Sequence, residues 1–396
     1  MPQLSAQLAL WMVTAMTAQQ PAYQWTSLTE QAAFAPRDGA GLLSFDGKLW
    51  LLGGWNPGDK VHFPQICNSE VWSSPDGREW TLVNPQAPWE GRHTAGYVVH
   101  RGRMWIVGGD ANQHHYQNDV WSSADGVTWE LETDAVPWGP RVLHHTVAFD
   151  GKIWMMGGQT LPQFAPAEER FFNDVWCSED GREWTRVIEH APWSPRGMVG
   201  GSAVLDGRIW LLGGGTYDTP DHPQRLFYND VWSSADGVEW TQVSADPPCG
   251  NRSGSAFLAF DGKLWVIAGS TPEASDPPEK HYATITTHND VWCSADGANW
   301  ERVVEHAPFA ARKWVVGEVY RDHMFIIGGF DNRNSVNFAE VWYSADGATW
   351  RSLPVPEGFT ARHEVTPYVF DDSLWIVAGN TWPLVNDVWR VTIPEE

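Results

Sequence analysis

Cysteine is scarce in this chain: four residues among 396. Two of the four stand where similar segments of the chain carry serine, which is typical of small packed side chains. We therefore expect buried thiols, and the count and spacing do not indicate a framework of disulfides. The four are Cys67, Cys177, Cys249 and Cys293.

Basic residues are also few, with 26 Lys and Arg against 49 Asp and Glu and a formal net charge of −23. This charge repels phosphate backbones and anionic lipids, so nucleic acid and membrane partners are not expected. The chain has no apolar run long enough to cross a bilayer. Residues 1–20 are mildly apolar but carry no Lys or Arg ahead of the apolar stretch, which predicts a strap or a weak signal-like segment. The cytoplasm is the expected compartment, with a secreted or periplasmic location as the alternative, and we expect a monomer.

Tryptophan and glycine are abundant, at 27 and 37 residues, which favours many short strands joined by tight turns. A repeated unit explains most of them. Each unit has an arginine, an apolar strand, a turn, a second strand that ends in glycine, a long loop, then an aromatic third strand and an Asp-Gly turn. Seven copies of the glycine end are present: Gly53-Gly54, Gly108-Gly109, Gly157-Gly158, Gly213-Gly214, Ala268-Gly269, Gly328-Gly329 and Ala378-Gly379.

The fourth strand of the unit occurs only six times after the arginine of its own unit, beginning with Trp80 and ending with Trp350. The missing copy lies at the front of the sequence, where residues 23–28 (YQWTSL) resemble the EWTLV and EWTRV segments. We therefore predict one all-β domain over residues 21–396, a seven-bladed propeller of four-stranded antiparallel blades. In this arrangement the N-terminal strand completes the last blade, and closure of the ring protects the sheet edges.

The double glycines, the arginine before the first strand and the paired aromatics of strands three and four resemble the kelch-repeat β-propeller family over residues 23–394. Tryptophan replaces the usual kelch tyrosine at Trp121 and its equivalents. The turn at residues 123–129 also resembles the Asp-box of sialidases with one residue missing. The resemblance implies a wide range of functions, since the family includes proteins similar to galactose oxidase, sialic acid mutarotases, iron-dependent specifier proteins and protein-interaction modules.

Seven arginines share one position of the repeat, and six of them follow an aromatic residue by three positions. If they ring the mouth of the central funnel, their guanidinium groups would suit carboxylate or phosphate ligands. The alternative is structural, because a residue present in every blade is a repeat feature that hydrogen-bonds to carbonyls of the neighbouring blade. The seven are Arg37, Arg92, Arg141, Arg196, Arg252, Arg312 and Arg362.

The residues that the repeat does not explain gather on blades seven, one and two. Asp38, His93 and His363 each follow a repeat arginine, and Glu364 comes next in the chain. Two imidazoles and a carboxylate are the ingredients of a facial metal triad for iron, copper or zinc, and also of a metal-free acid-base site. Ligand contacts are also predicted for Trp55, Trp382 and His145. The long loops carry further polar aromatics, namely His114, His115, Tyr116, His281 and Tyr282.

These residues predict a propeller that binds a small polar molecule, anionic or carbohydrate-like, in the funnel on its loop face. Catalysis by His93, His363, Asp38 and Glu364 is a hypothesis, in which the protein is a metal-dependent enzyme or an isomerase or lyase acting on a small molecule. The alternative is a non-enzymatic protein-interaction propeller that holds an acidic peptide on the arginines.

Overall fold

The computed structural model describes residues 23–111, 115–162, 165–197, 201–216, 226–271, 285–363 and 365–392. The predictions made above for residues 1–20 and for His114, His281, Tyr282 and Glu364 lie outside these ranges. Within them, no helix is long and apolar enough to span a membrane.

Seven four-stranded antiparallel sheets are arranged as the blades of a propeller, which confirms the predicted fold. Each of the first six blades takes its strands in chain order, from the funnel outwards. The strands are β1 (Gln24–Thr29); blade 1, β2 (Gly41–Phe45), β3 (Lys48–Leu52), β4 (Val71–Ser74), β5 (Thr81–Asn84); blade 2, β6 (Gly96–His100), β7 (Arg103–Asp110), β8 (Tyr116–Ser123), β9 (Glu130–Thr133); blade 3, β10 (His145–Phe149), β11 (Lys152–Met156), the added pair β12 (Gln159–Thr160) and β13 (Arg170–Phe171), β14 (Val175–Ser178), β15 (Thr185–Ile188).

The remaining blades follow the same plan, and blade 6 also carries an added two-stranded pair. Their strands are blade 4, β16 (Gly201–Leu205), β17 (Arg208–Gly215), β18 (Phe227–Ser234), β19 (Thr241–Ser244); blade 5, β20 (Ala256–Phe260), β21 (Lys263–Thr271), β22 (Thr286–Ser294), β23 (Glu301–Val304); blade 6, β24 (Val316–Tyr320), β25 (His323–Ile327), the pair β26 (Phe330–Asp331) and β27 (Val336–Asn337), β28 (Val341–Ser344), β29 (Arg351–Leu353); blade 7, β30 (Thr366–Phe370), β31 (Ser373–Val377), β32 (Val388–Thr392).

Strand β1 closes the ring, as the sequence predicts. It pairs antiparallel with β32 and forms the outer strand of blade 7, with Trp25 opposite Val391. Just before it, the ring of Tyr23 makes edge contacts with Phe325 and Tyr343 of blade 6. The free edge of β32 is thereby covered, and the first described segment is fastened to the last two blades.

The hairpin between β2 and β3 shows why the repeat uses Asp-Gly at this turn. Asp46 and Gly47 both have positive φ, at 48° and 67°, as a two-residue type I′ turn requires. A second Asp-Gly turn precedes β9, where Asp125 Oδ1 accepts hydrogen bonds from the backbone N–H of Val127 and of Thr128. A Cβ on Gly126 would lie 1.9 Å from the ring of Trp50, so glycine lets the blade 1 indole pack under this turn. These turns serve blade geometry and packing.

The core lies between neighbouring blades. Between blades 1 and 2, for example, Trp50 and Leu52 pack against Met104 and Ile106, and all four are buried. Each second strand therefore buries side chains on both faces, as β3 and β11 do, which explains its nearly continuous apolar sequence. The long loops between strands two and three are left on the opposite face from the Asp-Gly turns.

Candidate functional site

All seven repeat arginines are buried, with at most 7% of each residue exposed. In blade 2, Arg92 donates to both carboxylate oxygens of Asp119 at 2.7 and 3.1 Å and to the carbonyl of Gly108 at 2.9 Å. Asp119 also accepts the indole N–H of Trp121. An arginine–carboxylate pair occurs in every blade, with both oxygens accepting in the Asp pairs and one oxygen in the two Glu pairs. The other six pairs are Arg37 with Glu70, Arg141 with Asp174, Arg196 with Asp230, Arg252 with Asp290, Arg312 with Glu340 and Arg362 with Asp387.

These contacts give the arginines a structural role. Each one ties the segment before the first strand to the third strand of the same blade, so the bonded carbonyl lies within the blade. Burial would raise the pKa of Asp119 and Asp290, but the hydrogen bonds and charges of Arg92 and Arg252 lower it below its ordinary range. The ligand-binding role of the arginines stays a prediction that gains no support here, because the guanidinium groups are covered and their charges neutralised.

The mouth of the funnel is formed by seven β-bridges that extend each inner hairpin towards the loop face. One partner follows the repeat arginine, and the other follows the glycine pair. Together they make a ring of fourteen positions, two from each blade. The bridges are Asp38 with Trp55, His93 with Asp110, Val142 with Gln159, Gly197 with Gly215, Ser253 with Ser270, Lys313 with Phe330 and His363 with Asn380.

Solvent reaches this ring on one side. Five ring positions are half-buried, and all five belong to blades 6, 7, 1 and 2. The ring positions of blades 3, 4 and 5 are buried. The five are Trp55, His93, Phe330, His363 and Asn380. We call the ring positions of blades 7, 1 and 2 the seam, defined by Asp38, Trp55, His93, Asp110, His363 and Asn380.

Asp38 is the buried carboxylate of the seam. Its Oδ1 accepts the backbone N–H of Gly39 at 2.7 Å, and its Oδ2 accepts the side-chain amide of Asn380 at 2.9 Å. The imidazole of His93 lies against Gly39, because a Cβ there would fall 2.1 Å from the ring. Burial raises the pKa of Asp38, and the neighbouring His93 offsets this rise only in part. The structure therefore places Asp38 and His93 next to each other.

His363 faces blade 6. Its Nδ1 lies 2.7 Å from Oδ1 of Asn337, and its ring packs against Phe330 with centroids 5.3 Å apart. Burial, reinforced by the charge of Lys313, lowers the pKa of His363 to about 4. Because the amide oxygen of Asn337 can only accept a hydrogen bond, the neutral imidazole carries its hydrogen on Nδ1 and donates it, which leaves Nε2 as an acceptor.

The predicted metal triad is not assembled. Across the described ranges, no group of three or more His, Cys, Asp or Glu side chains is placed to hold a metal ion. Asp38 and His93 are neighbours, but His363 is turned towards the amide of Asn337. Equivalent repeat positions put the three residues at one height of the ring, whereas the side-chain directions depend on neighbours that differ from blade to blade.

Two polar atoms of the seam are buried without a hydrogen-bond partner among the described residues: the indole N–H of Trp55 and the amide Oδ1 of Asn380. The ring of Trp55 lies between the imidazole of His93, at 6.0 Å, and the indole of Trp382, at 6.3 Å. Trp382 is 70% exposed, the only fully exposed tryptophan in the part of the chain that the structure describes. The seam thus combines unused polar atoms with aromatic surface.

His145, the remaining predicted ligand residue, lies on β10 between blades 3 and 4, away from the seam. Burial, followed by the charge of Arg196, lowers its pKa to about 4. Its Nδ1 has no hydrogen-bond partner in the part of the chain that the structure describes, and the ring borders a small cavity beside Arg196 and Asp230.

Sequence reasoning missed Asn380, Asp110 and Asn337. The first two were accessible to it, since they occupy the position directly after the glycine pair, as Trp55 does. Asn337 offers no such signal, because it belongs to the added pair of blade 6, which the repeat does not contain.

Comparison with known proteins agrees with this architecture. The family model of the KLHDC2/KLHL20/DRC7 Kelch-repeats domain matches residues 39–269. A solved structure described as "Structure of YjhT" superimposes with a TM-score of 0.58 and 14% sequence identity, covering 83% of this chain and 100% of that chain. At this identity the likeness establishes the fold. No curated protein sequence shows significant similarity to this chain.

Proposed function

This chain belongs to the KLHDC2/KLHL20/DRC7 Kelch-repeats domain family, and we propose that its propeller binds a small polyhydroxylated, carbohydrate-like molecule at the seam. Fold membership leaves the ligand open, so the proposal depends on the site. One observation carries it: solvent reaches the funnel ring only along blades 6, 7, 1 and 2, where the residues that break the repeat are concentrated.

The hydrogen-bonding groups of the seam favour hydroxyl groups as their partners. A hydroxyl donates one hydrogen bond and accepts others. It would suit both the unpaired indole N–H of Trp55 and the unpaired amide oxygen of Asn380. Leaving such buried groups unpaired costs about 1–3 kcal/mol each, and a bound hydroxyl would remove that cost. The aromatic surfaces of Trp55 and Trp382 would cover the apolar face of a sugar ring.

A charged anionic ligand is less suited to the seam. Each repeat arginine has a carboxylate partner, while the seam itself contains Asp38 and Asp110. The same neutralisation removes the support for an acidic peptide held on the arginines. We therefore favour the carbohydrate-like ligand over the anionic one.

Within this proposal, Asp38 and His93 are the acid-base groups. A buried carboxyl of raised pKa beside an imidazole can take a proton from a ligand hydroxyl or return it. His363 would bind as a neutral acceptor through Nε2.

Binding of a panel of methyl glycosides, measured by calorimetry, tests the proposal. Asp38→Asn and His93→Ala should each lower the affinity of the glycoside that binds wild-type protein by at least about tenfold, since hydrogen bonds to charged groups contribute about 1.5–3 kcal/mol. The matched control is Ser253→Ala, which alters the equivalent ring position on blade 5. Unchanged affinity in both seam variants, or no glycoside bound by wild-type protein, would refute the proposal.

A further inference from the structure

A groove of about 610 Å³ lies on the loop face between blades 7 and 1 and does not include the seam residues. Its size falls within the range of about 300–1,000 Å³ that is usual for small-molecule sites. The lining is mainly apolar and comes from three segments: residues 32–36 before β2, the blade 1 loop from Asn56 to His62, and the blade 7 loop from Trp382 to Asn386.

The groove has the most exposed apolar rim among the described residues. Val61 and Phe63 are each 78% exposed, and Trp382 follows at 70%. Val61 and Trp382 line the groove from opposite sides, and Phe63 lies two residues beyond Val61. Apolar side chains gathered at one exposed place mark a binding surface. The other exposed large hydrophobic side chains among the described residues are at most 56% exposed.

The wall of the groove on the blade 1 side is held in place by contacts of one imidazole with two carboxylates. His62 lies between two carboxylates, 2.5 Å from Asp59 and 3.2 Å from Glu70. Glu70 is also the partner of the buried Arg37, so the loop is tied to the repeat framework. Within the loop, Asp59 accepts the backbone N–H of Val61 at 2.7 Å. The groove is therefore formed before any ligand binds.

The groove continues directly from the seam. Pro36 and Asn56 line it, and they neighbour Arg37-Asp38 and Trp55 in the chain. The side-chain amide of Asn56 donates a hydrogen bond of 2.8 Å to the carbonyl of Pro36. This contact lies next to the Asp38–Trp55 bridge, so the bonding between the two segments continues from the seam into the groove. The indoles of Trp55 and Trp382 meet edge to face, one on the seam and one on the groove.

From this continuity we infer that the ligand is amphipathic: a sugar bearing an apolar substituent, with the sugar at the seam and the substituent in the groove. This inference rests on the proposed function, because it needs the sugar at the seam. The residues that line the groove determine the chemistry of the substituent. A chain of further sugars would need many polar partners, whereas an alkyl or aryl group needs the apolar surface that Trp382, Val61, Leu384 and Pro36 supply.

The test compares methyl, butyl, hexyl and octyl glycosides of the same sugars, each below its micelle concentration, by calorimetry. In wild-type protein, affinity should rise about three- to fourfold for each methylene that the groove buries. In Trp382→Ala and Val61→Ser the rise with chain length should be much smaller. Val61→Ser should keep the wild-type affinity for the methyl glycoside, since Val61 does not touch the seam. The matched control is Val127→Ser, an exposed valine next to the Asp-Gly turn of blade 2.

Failure of the inference and failure of the proposed function give different results. If methyl glycosides bind at the seam but affinity does not depend on chain length, the inference is wrong and the proposed function stands. If octyl compounds bind equally whatever their sugar, and Asp38→Asn has no effect, the groove acts independently of the seam and the inference is also wrong. If wild-type protein binds none of the glycosides, both fail.

Discussion

The side-chain amide of Asn380 on blade 7 donates a hydrogen bond of 2.9 Å to the carboxylate of Asp38 on blade 1. These residues are 342 positions apart in the sequence, and only closure of the ring makes them neighbours. Asp38 is also the buried carboxylate beside His93. The seam is therefore assembled across the junction where the first and last blades meet, so the stability of that junction and the geometry of the site are linked.

Deletion of the closing strand β1 should disturb both the stability of the junction and the geometry of the seam. Removing residues 1–20 leaves β1 in place, whereas removing residues 1–30 exposes the edge of β32 and takes away the aromatic contacts of Tyr23 and Trp25. We expect the longer deletion to melt at a clearly lower temperature and to aggregate, because its sheet edge is open. Thermal unfolding of the two proteins side by side checks this. Coincident melting curves would show that β1 does not stabilise the ring.

The arginine–carboxylate pairs should contribute strongly to stability. Arg252→Met leaves Asp290 buried without its partner, and breaking a buried pair from one side costs about 3–5 kcal/mol. Arg186→Met is the matched control, since Arg186 is an exposed arginine that stacks on Trp176. Guanidinium unfolding should show a large loss of unfolding free energy for the first variant and a small one for the second. Equal small losses would return the repeat arginines to the list of ligand-binding candidates.

The sequence alone predicted the number of blades, the closing strand and the face that carries the turns. These features depend on backbone geometry, and the sequence pattern for that geometry occurs in seven copies. Trp25 could be placed on the last blade because the segment around it matches the fourth strand of the other blades. The partners of the arginines were equally visible: an Asp or Glu stands two residues before each third-strand tryptophan, as Asp119 does before Trp121. An arginine that occurs in every blade together with an acidic partner in every blade indicates a structural role for the pair.

The site was harder to predict, because it depends on side-chain directions. The shared repeat position placed Asp38, His93 and His363 correctly on the ring, but Asn337 from an added strand pair turns His363 away from the other two. The groove could not be predicted either, since it is formed by two loops whose proximity follows from ring closure. In a repeat protein, the differences between blades determine the site, and their effects depend on contacts between neighbouring blades.

Acid should destabilise the protein in two stages. Burial lowers the pKa of four histidines, His144 to about 3 and His145, His288 and His363 to about 4, from 6.5. Between those values the unfolded chain binds protons that the folded chain does not, so unfolding free energy should begin to fall as pH drops below about 6.5.

The second stage comes from carboxylates whose pKa is lowered in the folded state. Hydrogen bonds hold the pKa of Asp296 at about 2. The pKa of half-buried Asp119 and of buried Asp290 is also lowered, by their arginines. Their stabilisation is present above the ordinary carboxyl range and is lost as pH falls towards about 2. Asp38 and Glu318, whose pKa burial raises, oppose this loss in part. Denaturant unfolding from pH 8 to pH 3 measures both stages, and a constant unfolding free energy between pH 6.5 and pH 4.5 would contradict the first.

The imidazole of His363 should remain neutral through the range in which an ordinary histidine gains its charge. Burial and the positive charge of Lys313 both disfavour a second proton on the imidazole. The N–H at Nδ1 already donates a hydrogen bond to the amide oxygen of Asn337. In a histidine NMR titration, the ring signals of His363, assigned by comparison with His363→Gln, should stay constant from pH 8 down to about pH 5 and shift only near pH 4. A glycoside held by Nε2 of His363 should accordingly lose no affinity through that contact between pH 8 and pH 5. Titration of the His363 signals with a midpoint near 6.5 would show that the side chain is solvated and that the neutral acceptor role is wrong.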